Sequence, residues 1–316
     1  MPFAREAFSR FGEVVAKDGS AFTPADARDA FAIICRSTAK IGPALLEGSN
    51  VRFVGSGVAG TDHIDKDYLA ARGIEWRAAP GCNALSVANW TMAALDALGV
   101  RGGLLGIVGF GNVGSRVEEC ARAAGFETIL NDPPKGIGAP LETLLAEADA
   151  VTLHVPLEHG GPFPTYHMIS DSSFAAMKPG SVFLNAARGG VLDTAAFLRA
   201  SSRGLKSAID CWEGEPSPDA RAVAAATIAT PHIAGHSFDG KVNGTAAVYR
   251  AFCEFAGERP VFDFSLPPPP AGWRYDILAD DAAFRASPGS FPRIRASYPE
   301  SRRDIPPEAY ATRKGG

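Results

Sequence analysis

The stretch LLGIVGFGNVGSRV constrains the fold of this chain more than any other feature of the sequence. A strand-like apolar run, Leu104 to Val108, passes directly into the pattern GxGxxG at Gly109, Gly111 and Gly114, and a helical pattern follows over Val113 to Ala124. Strand, glycine turn and helix in this order are the context in which the pattern predicts a dinucleotide site. The first glycine permits a tight turn, the second lets the backbone approach a pyrophosphate, and the third allows close helix packing.

Alternating strand-like and helical patterns extend on both sides of this motif. Upstream, the short apolar runs FAIICRS (31–37), VRFVGSG (51–57) and IEWRAAP (74–80) are separated by helical stretches. After an apolar helix at 85–98, further strand-like runs follow: LLGIVGF, ETILND, AVTLHVP, SVFLNAA, LKSAIDCW and TIATPH. Alternation at this spacing favours parallel sheets covered by helices. The predicted fold class is α/β, with a Rossmann-type doubly wound parallel sheet and a second, flavodoxin-like α/β domain.

The same patterns place the domain boundaries. Residues 1–84 form one α/β domain, residues 85–237 carry the doubly wound sheet, and residues 238–265 hold a helix that returns the chain to the first domain. The proline run LPPPPAG breaks the pattern, because proline lacks a backbone donor and favours an extended chain. Residues 266–316 form a short C-terminal appendage that is too poor in apolar runs to hold its own core. We expect it to become ordered on the body of the protein or on another subunit.

Charge and cysteine content exclude several classes of protein. The net charge is −4, with acidic and basic residues mixed along the chain, so no basic stripe predicts binding to nucleic acid or to a membrane surface. No run reaches the ~18 apolar residues of a membrane span, and the charged N-terminus lacks a signal sequence, so we expect a cytoplasmic protein. The cysteines are odd in number and well separated, which predicts reduced thiols and no metal site: Cys35, Cys82, Cys120, Cys211 and Cys253.

Asp132 distinguishes a nucleotide site from a glycine turn that binds nothing. It ends the strand-like run ETILND, the next strand after the glycine motif. An acidic side chain at this position can accept hydrogen bonds from the ribose hydroxyls of an adenosine, and it would repel a 2′-phosphate. The sequence therefore predicts a dinucleotide site that prefers NAD to NADP.

Three polar residues follow later strands of the same domain. Arg188 lies in SVFLNAARGG, Glu215 in DCWEGEP, and His232 in ATPHIAGH. Ligands of open α/β sheets bind at the carboxyl ends of the strands, so these side chains are expected near the nucleotide. An imidazole can take a hydroxyl proton, a carboxylate can orient it, and a guanidinium can hold a carboxylate substrate. Taken alone, Arg188 is also explained as a surface cation, Glu215 as a solvated carboxylate and His232 as a packed imidazole. The combination of the three favours oxidation of a 2-hydroxy acid.

These motifs resemble those of the NAD-dependent D-2-hydroxyacid dehydrogenases. The matching stretches are GFGNVG, NAARGGVLD, DCWEGEP and TPHIAG. The similarity extends over nearly the whole chain through MPFAREAFSRFGEV, CRSTAKI, AGTDHID, AAPGCNA, LNDPP and YDILADDAAFR. The resemblance is greatest to members that oxidise 4-phospho-D-erythronate to 3-hydroxy-2-oxo-4-phosphobutanoate in vitamin B6 biosynthesis. It implies that His232 is the acid/base, that Glu215 is its partner and that Arg188 anchors the substrate carboxylate.

The resemblance also implies the remaining contacts and the assembly. The implied cofactor contacts are Gly109, Gly111, Asn112, Val113, Gly114, Asp132, Val155, Ala186, Ala187, Asp210 and Gly235. The implied substrate contacts are Ser37, Val58, His236 and Arg36. A homodimer is implied as well, with residues 266–316 as a shortened dimerisation segment and with the family's first strand missing ahead of MPFAREAF. Apolar residues of the helix at 85–98 exceed what one helix face hides, which favours a partner surface.

Two further functions remain open at this level. Val58 and Val155 stand where these relatives carry threonine, His236 where they carry tyrosine and Asn89 where they carry glutamate, so the substrate could be another D-2-hydroxy acid without a phosphate. A non-catalytic NAD-sensing binding protein of the same fold is the third possibility. Arg36 and Lys40 flank Ser37 in CRSTAK, where they are expected either to bind a substrate phosphate or to form a solvated basic turn.

Overall fold

The computed structural model of the protein describes residues 1–315, which divide into two compact units. The first comprises Met1–Asn83 and Ser237–Pro268, and the second comprises Ala84–His236 and the chain from Pro269 onward. The strands are β1 Ala32–Cys35, β2 Phe53–Ser56, β3 Glu75–Arg77, β4 Leu104–Val108, β5 Glu127–Asp132, β6 Ile137–Gly138, β7 Ala150–Leu153, β8 Val182–Asn185, β9 Lys206–Ile209 and β10 Ile228–Ala229. The helices are α1 Ala4–Phe8, α2 Pro24–Arg28, α3 Pro43–Leu46, α4 Lys66–Ala71, α5 Ala84–Ala97, α6 Asn112–Ala124, α7 Leu141–Glu147, α8 Asp171–Ala176, α9 Thr194–Ser202, α10 Ala220–Ala225, α11 Phe238–Phe255, α12 Ile277–Ala286 and α13 Phe291–Ala296.

The sheet of the first unit is parallel, in the order β1-β2-β3. Helix α11 packs on β2 through Tyr249 and Phe252, which share an apolar cluster with Phe53. The approach is close enough that a Cβ atom at Gly55 would overlap the side chain of Val248. Glycine in the middle of this strand therefore serves helix packing.

The sheet of the second unit has the order β10-β9-β8-β7-β4-β5-β6 within the described residues, and its strands are parallel except β6. The chain runs outward from β4 to one edge and then returns to β7 on the other side of β4. This reversal makes the carboxyl ends of β4 and β7 a topological switch point, where such sheets bind ligands. The parallel α/β prediction is confirmed, and β7 and β8 are buried along their whole length, as strands covered on both faces are.

Strand β6 was not predicted from the sequence. Its two residues pair antiparallel with Asn131 and Asp132 after a tight turn that Gly136 closes in the left-handed conformation. A strand this short carries no alternation of apolar and polar residues, so the sequence pattern offers no signal for it. It extends the sheet edge next to Asp132.

Helix α5 corrects one inference from the sequence, because the chain itself covers the apolar surface that was expected to face a partner. Trp90 and Leu95 are fully buried. The C-terminal segment covers the helix further, since the Asn89 amide nitrogen donates to the carbonyl oxygen of Ile305 at 2.8 Å and Ser86 donates to Asp304 at 3.1 Å. The apolar content of this helix is therefore satisfied within one chain.

The segment from Pro269 onward packs into the core of the second unit. Phe284 and Phe291 join the cluster formed by helices and strands on one side of the large sheet, and Ile305 and Tyr310 join the cluster around α5 and α6. The segment is thus ordered on the body of its own chain, which is one of the two arrangements that the sequence left open.

Among the helices built from the described residues, none combines the length and the apolar character that a bilayer crossing requires.

Candidate active site

The glycine loop between β4 and α6 has the geometry of a dinucleotide site. Gly109 has φ +91°, and a Cβ atom there would lie 2.6 Å from the carbonyl oxygen of His154, so the turn requires glycine. A Cβ atom at Gly114 would overlap the carbonyl oxygen of Gly109, which explains the close packing of the helix start. At Gly111, in contrast, no described atom outside the immediate chain neighbours lies within 4 Å of the Cβ position.

The start of helix α6 supplies the donors that a pyrophosphate needs. Gly111 is its N-cap and provides no side chain to accept from the N–H groups of the first turn. Those N–H groups and the open space over Gly111 fit an anion at the helix N-terminus, and Asn112 and Val113 form the first helical positions. The chain's own residues at this loop therefore suit the NAD pyrophosphate.

Asp132 lies at the end of β5 beside this loop. One of its carboxylate oxygens, Oδ2, accepts a hydrogen bond from the backbone nitrogen of Phe110 at 2.8 Å. Lys135, which the sequence analysis did not single out, lies with Nζ 3.8 Å from the same oxygen and donates to the carbonyl oxygen of Phe110 at 2.6 Å. The predicted contact with the adenosine ribose remains a prediction, and the neighbouring ammonium partly offsets the negative charge at this position.

His232 and Glu215 form a hydrogen-bonded pair. Nδ1 of His232 lies 2.7 Å from Oε2 of Glu215, and the backbone nitrogen of Trp212 donates to Oε1 of Glu215 at 2.8 Å. Burial raises the pKa of the Glu215 carboxyl, but the hydrogen bonds from His232 and Trp212 lower it by more, so it stays below its usual value. The carboxylate is therefore ionised beside the imidazole. Both side chains are half-buried, so the pair is neither sealed in the core nor fully solvated.

The loop that carries His232 is held by a buried carboxylate. Both side-chain oxygens of Asp210 accept bonds: Oδ1 from the Thr230 hydroxyl at 2.6 Å and from the Ile233 nitrogen at 2.8 Å, and Oδ2 from the Ala234 nitrogen at 3.0 Å. The backbone nitrogen of His232 donates to the Asp210 carbonyl oxygen at 2.8 Å. Burial raises the pKa of the Asp210 carboxyl against the lowering effect of these bonds and of His232. The contact of Asp210 with the cofactor stays a prediction, whereas its hydrogen bonds to the loop are observed. Gly235, another predicted cofactor contact, follows on the same loop.

Arg188 is placed by the turn that follows β8. Asn185, at the end of this strand, accepts from the Ala187 nitrogen at 3.1 Å and donates to the Cys211 carbonyl oxygen at 3.2 Å. Gly189, which follows Arg188, packs so closely that a Cβ atom there would overlap the backbone of Trp212. The turn with Ala186, Ala187 and Arg188 is therefore fixed against the segment that carries Glu215.

His154 is a polar residue that follows β7, next to the glycine loop. Nε2 of His154 lies 3.0 Å from the Thr152 hydroxyl, and burial lowers the pKa of the imidazole to about 3, which keeps it neutral. Val155 comes next, and its side chain lies 2.9 Å from the Cβ position at Gly109. Sequence reasoning missed His154, although a histidine at the end of the run AVTLHVP is the signal that could have found it.

The sequence predicts no metal site. In the described part of the chain, one group of ligand-type side chains comes together, with atoms of Cys211, Glu215 and His232 within 4.8 Å of one another. Two of the three are already joined by the hydrogen bond between imidazole and carboxylate. Burial raises the pKa of the Cys211 thiol well above its usual value, so this thiol is protonated.

A second histidine–carboxylate pair, formed by His167 and Glu213, was not predicted from the sequence. Nε2 of His167 lies 2.7 Å from Oε1 of Glu213.

Most of the predicted substrate residues lie in the first unit. Nη1 of Arg36 donates to the carbonyl oxygen of Gly57 at 3.3 Å, and burial lowers the pKa of its guanidinium. Ser37 is exposed in the turn that starts at Arg36, and Val58 is half-buried. His236 lies in the second unit, at the end of its first stretch of chain, and its backbone nitrogen donates to the Ile233 carbonyl oxygen at 2.8 Å.

The chain is similar to several known proteins. Residues 76–234 match the family described as D-isomer specific 2-hydroxyacid dehydrogenase, NAD binding domain. Erythronate-4-phosphate dehydrogenase from Azotobacter vinelandii is 40% identical over 97% of this chain and 90% of its own length. The enzyme of the same name from Salinibacter ruber is 41% identical over 98% of this chain and 81% of its own length. D-Lactate dehydrogenase from Aquifex aeolicus, solved with NAD and lactic acid, is 25% identical with a TM-score of 0.66, covering 81% of this chain and 92% of that one.

Proposed function

This chain belongs to the D-isomer-specific 2-hydroxyacid dehydrogenase family, and we propose that it oxidises 4-phospho-D-erythronate with NAD. The product is 3-hydroxy-2-oxo-4-phosphobutanoate, and the reaction belongs to vitamin B6 biosynthesis. The reaction type rests chiefly on one observation, the 2.7 Å contact between His232 and Glu215 in the unit that also carries the glycine loop. The choice of substrate rests on the relatives that share about 40% identity over nearly the whole chain.

The proton of the substrate hydroxyl is assigned to His232. Glu215 occupies Nδ1 of the imidazole, so Nε2 is the ring atom that takes the proton when the 2-hydroxyl is oxidised. The ionised carboxylate stabilises the imidazolium that results, because a positive charge then lies beside it. Bound NAD supplies the hydride acceptor.

The substrate carboxylate is assigned to Arg188. A guanidinium offers a planar pair of donors that matches a carboxylate, which fixes the orientation of the 2-carbon relative to the acid/base. The turn that carries Arg188 packs against the backbone next to Glu215, so the anchor and the acid/base pair share one rigid support.

The phosphate of the substrate is assigned to the first unit, over residues 1–84 with the returning segment 238–265. Arg36 is the cation of the predicted set there, Ser37 adds an exposed hydroxyl, and Val58 lies in the loop whose Gly57 carbonyl accepts from Arg36. The alternative substrate, a 2-hydroxy acid without a phosphate, would not need this cation.

A substrate panel separates the three functions that the sequence leaves open. The purified protein is assayed with NAD and 4-phosphoerythronate, D-glycerate or D-lactate, and NADH formation is followed by absorbance. We expect the highest kcat/KM with 4-phosphoerythronate. Equal or higher kcat/KM with an unphosphorylated acid would support the second enzyme, and NAD binding without turnover on any acid would support the NAD-sensing protein.

The location and the assembly of the enzyme follow from the same proposal. We place the enzyme in the cytoplasm, where a reducing environment suits its free thiols at Cys35, Cys82, Cys120, Cys211 and Cys253. We also expect a homodimer, as the family resemblance implies, although helix α5 no longer supports it because the chain covers that helix itself. Light scattering at micromolar concentration tests the assembly, and a monomer would contradict it.

A further inference from the structure

Arg302, in the C-terminal segment, lies under the loop that carries His232. Its guanidinium donates to the carbonyl oxygens of Ile233 at 2.6 Å and of Ala234 at 2.7 Å, and it reaches the Ser86 carbonyl oxygen on α5 at 3.0 Å. The residue is only 3% exposed. A buried arginine that donates to three carbonyl oxygens, two of them in one loop, holds the backbone of that loop in place.

The loop requires this support because of its own conformation. His232 has φ +54°, in the left-handed region that residues other than glycine rarely adopt. Such a conformation persists only when the surroundings determine it. Asp210 accepts from the N–H groups of residues 232–234 through its backbone and side chain, while Arg302 donates to the C=O groups of residues 233 and 234. Asp210 therefore pairs with the hydrogen-bond donors, and Arg302 with the acceptors, of the same short stretch of backbone.

The site around Arg302 is built for a guanidinium. Its central carbon lies 3.9 Å from the centre of the Tyr275 ring, so the planar group stacks on an aromatic face while its edges donate. Burial lowers the pKa of Arg302, but Tyr275, Tyr298, Asp304 and Asp280 raise it by more, so the group stays charged. An ammonium group has no plane to stack and places its donors at one point, so lysine cannot reproduce this arrangement.

We propose that Arg302 is a positioning residue for His232, through which the C-terminal segment sets the geometry of the acid/base. The inference rests on the proposed function, in which His232 carries the substrate proton. It assigns the segment 266–316 a part in catalysis within its own chain, in addition to any part in assembly. Arg302 acts through the backbone of residues 233 and 234.

The test compares two arginines of the same segment. Arg285 also donates to backbone carbonyl oxygens of the body, those of Val223 at 3.0 Å and Ala226 at 2.7 Å, but these lie in and after α10 and not on the histidine loop. Arg302→Ala should lower kcat by about 10²-fold, the cost of a small misplacement of a catalytic group, while the Kd for NAD changes much less because the glycine loop is untouched. Arg285→Ala should lower the Tm and leave kcat at the wild-type level.

Chemical rescue separates positioning from general destabilisation. Added guanidinium ion should restore part of the kcat of Arg302→Ala and should not raise that of Arg285→Ala. Arg302→Lys, which keeps a positive charge and most of the volume, should fold and still show a lowered kcat. If the alanine variant does not fold, the lysine variant decides, and wild-type kcat in either folded Arg302 variant would overturn the proposal.

A readout without substrate keeps this proposal separate from the proposed function. The Nδ1 proton of His232, bound to Glu215, gives a downfield NMR resonance that is assigned by its loss in His232→Asn. It should shift or broaden in Arg302→Ala and remain in place in Arg285→Ala. An unchanged resonance would overturn the positioning role whatever the substrate, whereas absence of turnover in the wild-type protein would contradict only the proposed function.

Discussion

Glu215 contacts His232 at one ring nitrogen only, with its Oε2 atom 2.7 Å from Nδ1. Its other oxygen is occupied by the backbone nitrogen of Trp212, so the carboxylate is fixed before it orients the imidazole. This order of support, from backbone to carboxylate to imidazole, gives His232 one defined tautomer and leaves Nε2 for chemistry.

Acid should remove the stability that Glu215 contributes. The pKa of its carboxyl in the folded protein lies below the usual value of about 4.3, so the carboxylate stabilises the fold above that pH, and the contribution is lost as the pH falls toward the lower folded-state pKa. The Tm difference between wild type and Glu215→Gln should therefore be largest near neutral pH and should shrink below about pH 4. Glu142→Gln, at an exposed position in α7, serves as the control. A difference that stays constant down to pH 3 would count against the ionised pair.

An added methyl group should weaken NAD binding at one glycine of the nucleotide loop and lower the stability of the fold at another. Gly111→Ala meets no described protein atom within 4 Å beyond its chain neighbours, so its Tm should stay at the wild-type value while the Kd for NAD rises. Gly114→Ala would press on the Gly109 carbonyl, so its Tm should fall, with overpacking costing about 1–3 kcal/mol. Thermal melts and fluorescence titration with NAD measure both effects. Unchanged NAD affinity in folded Gly111→Ala would place the pyrophosphate elsewhere.

Asp132 should set the preference between the two nicotinamide cofactors. Asp132→Asn keeps an oxygen that can accept from the Phe110 nitrogen but removes the charge, so NAD should bind more weakly and its advantage over NADP should narrow. A hydrogen bond to a charged group is worth about 1.5–3 kcal/mol, which corresponds to roughly tenfold or more in affinity. Lys135, 3.8 Å away, should then favour the 2′-phosphate, and the additional change Lys135→Met should abolish that gain. Equal affinities in wild type and Asp132→Asn would remove Asp132 from the ribose site.

Arg36 should matter only for phosphorylated substrates. Arg36→Ala should lower kcat/KM for 4-phosphoerythronate and leave any activity with D-glycerate unchanged, because only the first substrate carries the phosphate that this cation is proposed to bind. Lys40→Ala, in the same basic turn but exposed, tests whether the effect is specific to the half-buried arginine. An equal loss with both acids would mean that Arg36 supports the loop at Gly57 and not the phosphate.

The sequence predicts the features of this protein that depend on neighbouring residues. The apolar runs place the strands from β1 to β5 and from β7 to β10, and the glycine spacing places the turn before α6, because both signals are local. Strand β6 is too short to carry such a signal. The coverage of α5 and the contact of Arg302 with residues 233 and 234 join segments far apart in the chain. Arg302 stands in the charged stretch SYPESRRD, which resembles a solvated surface until the fold buries it.

The most direct test of the central claim is the turnover of His232→Asn with 4-phosphoerythronate and NAD, measured beside the Kd for NAD of the same variant. Asparagine removes the proton acceptor and leaves the glycine loop intact, so we expect kcat to fall by about 10² to 10⁴-fold while NAD binding is retained. A folded variant that keeps more than about a tenth of the wild-type kcat would contradict the assignment of His232 as the acid/base.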